Sequence, residues 1–140
     1  MTIETPKWAE GKPGLFAITH NSGVVYIGKA QGGRNAVFKE AKNREPKWIE
    51  CFKRQGILPK TTSTIDPVAR EYVHTHCRLY VAIMDDEQIL GLIGEAEECL
   101  IFRLQNQLMC NTMIKKHSKL KELSIVNSGE LPPGLPENIE

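Results

Sequence analysis

Residues 14–34 read GLFAITHNSGVVYIGKAQGGR, and the fold turns on this stretch. Two apolar runs rich in Val, Ile and Phe flank Asn21-Ser22-Gly23. Apolar run, short Gly-containing turn, apolar run is the pattern of a β-hairpin, with Gly supplying the left-handed backbone that a three-residue loop needs. With that loop, His20 lies opposite Val24, Ile18 opposite Tyr26 and Phe16 opposite Gly28, so Phe16 and Tyr26 share one face as diagonal neighbours. A two-residue turn would reverse that parity.

Beyond the hairpin, Gln31-Gly32-Gly33 reads as a loop and residues 34–44 as a short helix with Val37 and Ala41 one turn apart. Pro46 suits the first turn of a second helix, whose inward face is Trp48, Ile49 and Phe52 and which Gly56 ends. Residues 57–77 have no clean period; Thr61-Thr62-Ser63-Thr64 reads as loop, and Pro67 to His74 as a turn or two of helix. Arg78 to Met84, RLYVAIM, carries apolar side chains on both sides and is predicted to be the central strand, covered on both faces.

Asp85 or Asp86 caps the next helix, whose start Gly91 and Gly94 weaken. At about 100° per residue, Leu90, Ile93, Leu100, Ile101 and Leu104 all fall within roughly 60° of Glu97. A carboxylate therefore stands in the middle of an apolar face. An unpaired carboxylate is costly to bury, so Glu97 calls for a cation, a donor or a cleft. A salt bridge to Arg34 or Arg78 is one answer and a metal ion is another.

Gly14-Leu15-Phe16, then Tyr26-Ile27-Gly28, Lys29 and Arg34, with Glu97, Leu100, Ile101 and Asn111 far downstream, resemble the motifs of the GIY-YIG nuclease superfamily. The resemblance covers residues 14–111, with its specific motifs at the two ends. It implies an α/β (α+β) domain in which a small three-stranded antiparallel sheet is flanked by helices. It also implies a metal-dependent endonuclease that hydrolyses DNA phosphodiesters. In that reading Tyr26 is the general base and Glu97 holds Mg²⁺ (or Mn²⁺). Lys29 aids Tyr26, Arg34 bridges phosphate oxygens, and Phe16 and Asn111 contact substrate or support the site. A free phenol has a pKa near 10, so only about one in a thousand is ionised at neutral pH, and a neighbouring cation has to lower it.

The chain departs from the family pattern in three places. Phe16 replaces a tyrosine, keeping the ring without its hydroxyl, which implies a slowed nuclease. Arg34 falls eight residues after Tyr26 where the family often has ten, leaving Arg44 as the alternative. No Pro precedes Asn111 in Leu108-Met109-Cys110-Asn111. The competing reading is a catalytically degenerate module that binds nucleic acid or a protein partner, and Phe16 favours it.

Composition names no function: 140 residues suit one domain with a real core, and 41% hydrophobic with 25% charged residues is ordinary for a globular chain. There is no run of about 18 apolar residues and no basic-then-apolar leader, so neither a membrane span nor secretion is predicted, and a cytoplasmic location is expected. Cys51, Cys77, Cys99 and Cys110 show no CxxC spacing, so reduced, partly buried thiols are expected. His74, His76 and Cys77 crowd together but lack a fourth ligand at zinc-like spacing.

Residues 1–60 hold eleven Lys and Arg against five Glu, whereas 61–110 hold three against eight acids. A basic first half can meet a polyanion, although folding can also interleave the charges. Residues 1–13 read as an irregular lead-in, 14–125 as the nuclease-like domain and 126–140, rich in Pro and Gly, as a disordered tail. Residues 113–124 read as a helix bearing four lysines. So small a domain, without a separate recognition module, is expected to bind DNA weakly and in a salt-dependent way unless a partner protein or a homodimer adds area.

Overall fold

A computed structural model of the chain describes residues 6–21, 23–33, 36–84, 86, 91–104, 107–111, 125–126, 132–133 and 138–139. After a short 3-10 turn at Lys7–Ala9 come β1 (Gly14–His20) and β2 (Gly23–Ala30), then α1 (Val37–Asn43), α2 (Glu45–Arg54) and α3 (Pro67–His76). β3 (Cys77–Ile83) and α4 (Ile93–Leu104) follow, and β4 (Ile125–Val126) and β5 (Asn138–Ile139) end the described chain. The fold is α+β: a three-stranded antiparallel sheet, ordered β2-β1-β3, with helices against it.

The hairpin keeps its predicted parity by an unpredicted route. Ile18 faces Tyr26 and Phe16 faces Gly28, but His20 faces Gly23 rather than Val24, and Thr19 faces Val24. The loop is thus one residue shorter than expected, and Val25 is an extra residue between two rungs. The shorter turn alone would reverse the parity; the bulge restores it. Asn21, not Gly23, takes the left-handed backbone, with φ at 57°, which Asn tolerates better than most residues.

β1 lies in the middle of the sheet, so the expectation that residues 78–84 form the central strand is corrected. Phe16 and Ile18 pack on one face with Tyr26, Trp48, Ile49, Phe52 and Val73. Ala17 packs on the other with Ile27, Leu100, Ile101, Leu104 and Leu108. β3 does contribute to both cores, through Leu79 and Val81 on one side and Tyr80 on the other. It is nonetheless an edge strand whose Arg78 and Ala82 are exposed. Strand order depends on long-range pairing, which a strand's own period does not encode.

The helices follow local chemistry. Pro46 occupies the first turn of α2, Trp48, Ile49 and Phe52 are buried, and Gly56 (φ +76°) follows the end. Asp66 caps α3 by accepting a hydrogen bond from the Val68 amide at 2.7 Å, and α3 runs to His76, further than expected. α4 begins at Ile93, after a turn at Gly91-Leu92; Leu90 lies outside the described residues, as do residues 113–124, the helix expected next. At the two ends of the stretch expected to be a disordered tail, Ile125 pairs with Ile139 and Val126 with Asn138, and residues 127–131, 134–137 and 140 lie outside the described residues. β-branched residues at the paired positions suit extended backbone.

Gly28 is required for the packing around Tyr26. A Cβ there would overlap the Phe16 ring, lying 2.7 Å from one Cε and 2.8 Å from the other. Phe16 is buried and stacked on Tyr26 at 5.9 Å, so the ring has no room to retreat. Gly28→Ala is expected to cost about 1–3 kcal/mol of stability, read as a lowered urea midpoint. An unchanged midpoint would mean that the ring moves aside freely.

Candidate active site

Tyr26 sits on β2, an edge strand, with its ring between Phe16 and Trp48; the Trp48 ring lies edge-on at 6.1 Å. Only 8% of the residue is exposed. Burial raises the pKa of its phenol above the ordinary 10. The Arg44 guanidinium opposes that rise, and the Glu97 and Glu40 carboxylates add to it. Tyr26 therefore lies within the electrostatic reach of a cation from the α1–α2 corner and of a carboxylate from α4.

Glu97 is half-buried on α4 among Ile93, Leu100, Ile101 and Leu104, all of them buried. Leu104 and Ile101 flank it at about 20° and 40° to either side on the helical projection, as the apolar periodicity predicts. α4 packs on the face of the sheet opposite the Tyr26 ring. Glu97 nonetheless acts electrostatically on Tyr26 from α4.

Among the described residues Arg44, the alternative to Arg34, is the arginine that acts on Tyr26. It terminates α1 and pairs with Glu40, one turn back, at 2.7 Å. Arg34 itself lies outside the described residues. The Glu40-Ala41-Lys42-Asn43-Arg44 spacing is the available signal, since carboxylate and guanidinium four apart meet on one helix face.

Lys29 does not stand where it was expected. Side chains alternate across a strand, and a step of three residues from Tyr26 lands on the opposite face. Lys29 Nζ accordingly lies 3.3 Å from where a Cβ of Gly94 would be, beside the first turn of α4. It is absent from the groups that shift Tyr26, whose pKa is raised rather than lowered.

Phe16, 2% exposed, is a support beneath Tyr26 rather than a surface for substrate. Asn111 spends its amide on the backbone of the residue after Tyr26. Its Oδ1 accepts from the Ile27 amide at 2.9 Å and its Nδ2 donates to the Ile27 carbonyl at 3.0 Å. The Cys110 amide donates to the Val25 carbonyl at 2.9 Å. Residues 110 and 111 therefore bind the outer edge of β2 on both sides of Tyr26, in place of a fourth strand. Asn111→Ala is expected to cost about 1–3 kcal/mol and to speed amide exchange at Ile27; unchanged exchange would remove Asn111 from this role.

The cysteines overturn the expectation that all four are reduced. Cys51 and Cys110 form a disulfide with Cα atoms 5.4 Å apart, while Cys77 and Cys99 are buried free thiols. His74, His76 and Cys77 diverge: His74 lies 3.7 Å from Glu45, His76 stacks on Tyr72 at 4.3 Å, and Cys77 is buried. Glu45, which the sequence reading passed over, is a buried carboxylate 3.2 Å from Arg70.

Among the described residues, no three His, Cys, Asp or Glu side chains cluster as a metal cage. Mg²⁺ does not require one, because it keeps most of its waters and binds through one or two carboxylates and substrate phosphates. The half-buried Glu97 carboxylate, a hard oxygen donor, suits that mode. Among the described residues no helix is long and apolar enough to cross a membrane. No family model, curated protein or solved structure matches the chain.

Proposed function

We propose that this chain is a DNA endonuclease of the GIY-YIG type, hydrolysing phosphodiester bonds with Tyr26 as general base, Glu97 as metal ligand and Arg44 on the phosphate. The observation that supports the reading is that Tyr26 lies buried on β2 within electrostatic reach of Arg44 and Glu97, from separate elements, as well as of Glu40. Exposed Lys39, Lys42, Lys47 and Arg54 on α1 and α2 support a polyanionic substrate. Among the described residues none of the four is in an ion pair, whereas Arg44 and Lys53 are.

In the reaction, water attacks phosphorus, the bond to the leaving oxygen breaks, and Tyr26 takes the proton of the attacking water. Arg44 offsets charge on the non-bridging oxygens. Glu97 would hold a divalent ion, which when bound would supply Lewis-acid stabilisation of the charge on the leaving 3′ oxygen. Phe16 supports the tyrosine ring, and Asn111 holds the backbone of the next residue, Ile27.

Because the Tyr26 pKa is raised, the basic form is scarce at neutral pH and grows about tenfold per pH unit below that pKa. Nicking of supercoiled DNA in Mg²⁺ or Mn²⁺ at low salt is therefore expected to accelerate about tenfold per unit between pH 6 and 9. Tyr26→Phe should abolish it. A pH-independent rate would exclude Tyr26 as the base. The burial that raises the phenol also favours a second reading, a non-catalytic binding module. A folded protein that binds DNA but cuts none under either metal would establish that reading in place of the first.

A further inference from the structure

We infer that the Cys51–Cys110 disulfide is a reversible redox clamp on the outer edge of β2, closed by oxidation and opened by thiols. The inference rests on where the bond lies. Cys51 is on the buried side of α2, and Cys110 belongs to the segment that covers the β2 edge. The Cys110 amide holds the Val25 carbonyl, and Asn111, the next residue, holds both backbone polar groups of Ile27. The covalent bond therefore ties α2 to the three hydrogen bonds that bracket Tyr26. Only its effect on catalysis depends on the nuclease reading; the clamp itself does not.

Two observations favour reversibility over a permanent cross-link. Cys51 Sγ lies 3.4 Å from the Met109 carbonyl, so a reduced thiol at this position already has an acceptor. Cys110, although buried, also lines a cleft of about 330 Å³ together with Pro46, Lys47, Glu50 and Arg54. Its two cations outnumber its one carboxylate, which suits an anionic thiol such as glutathione. Competition from Cys77 is suppressed, because burial pushes that thiol up to about 12 and keeps it protonated.

Opening is ordinary thiol–disulfide exchange. A thiolate attacks the Cys110 sulfur, the Cys51–Cys110 bond breaks, and Cys51 leaves as a thiolate that takes a proton. A second thiolate then attacks the mixed disulfide, freeing Cys110 and releasing the oxidised reagent. Two electrons pass from two small thiols to the protein; closure by the oxidised reagent reverses each step.

The test is residue-resolved amide exchange on the wild-type chain equilibrated with oxidised or reduced glutathione, with thiol counting in each state. Two free thiols when oxidised and four when reduced are expected. Ile27 and Cys110 amides should exchange about tenfold faster or more in the reduced form, and amides of α3 should be unchanged. Cys51→Ser, which cannot form the bond, should reproduce the reduced pattern without glutathione. Four thiols in both states would overturn the proposal, as would equal exchange at Ile27 and Cys110. Acceleration at all amides alike would also overturn it, because the bond would then support the whole fold rather than this edge. None of these readouts requires DNA cleavage, so a failed nuclease reading would leave them standing. Where the chain does cut DNA, oxidised protein should cut faster than reduced.

Discussion

Glu97→Gln is expected to slow metal-dependent DNA cleavage by at least a hundredfold, a loss of about 2.7 kcal/mol of transition-state stabilisation. Gln keeps the volume of Glu between Leu104 and Ile101 and retains a hydrogen-bonding oxygen, so the substitution leaves packing almost intact. What it removes is the negative charge. That charge is the property a divalent ion needs from this position, and a neutral amide holds Mg²⁺ far more weakly. It also removes one of the two carboxylates that raise the Tyr26 phenol. The base would then be slightly easier to ionise, which on its own would speed the reaction. The two effects have opposite signs, and a large net loss would identify metal binding as the larger. The checks are single-turnover cleavage rates at saturating DNA across a Mn²⁺ titration, with DNA affinity and urea midpoint measured alongside. An unchanged rate, or a faster one, would remove Glu97 from catalysis and leave it as a structural carboxylate.

Trp48→Ala is expected to destabilise the fold by about 3–5 kcal/mol, lowering Tm by roughly 10–20 °C for a domain of this size. Trp48 is the largest of the fully buried side chains, 0% exposed, and it joins α2 to the sheet beneath Tyr26. Its indole Nε1 has no hydrogen-bond partner among the described residues. A donor removed from water without an acceptor costs free energy. Trp48→Phe deletes that donor while keeping an aromatic ring, and should therefore cost under half of what Trp48→Ala costs. Equal losses for the two variants would show that the indole N–H is satisfied and contributes to stability. Urea unfolding at constant slope measures both. The Ala variant should also loosen the Tyr26 ring, and cleavage by its folded fraction should fall.

The local elements could be read from the sequence where one period or one turn decided them. Phe16 and Tyr26 share a face because alternation along paired strands puts them there, and Trp48, Ile49 and Phe52 point inward because they recur at helical spacing. Glu97 was found by the same projection, as the one carboxylate centred on an apolar stripe. The same alternation turns Lys29, three residues from Tyr26, to the opposite face, so nearness in sequence does not bring it to the hydroxyl. Arg44 reaches Tyr26 through the length of α1 and the corner that follows, which no local pattern specifies. The bulge at Val25 and the central place of β1 likewise depend on partners far along the chain. The Cys51–Cys110 bond joins residues 59 apart, and spacing alone says nothing about such a pair.

The cover that Cys110 and Asn111 give to β2 has a consequence for how this protein tolerates change. A bare strand edge is a template for another chain, and proteins that expose one tend to aggregate. Here the residues that shield the edge are also those that hold Tyr26 laterally, so solubility and site geometry rest on the same few bonds. Variants selected only for remaining in solution would retain the architecture of the site without any selection for chemistry.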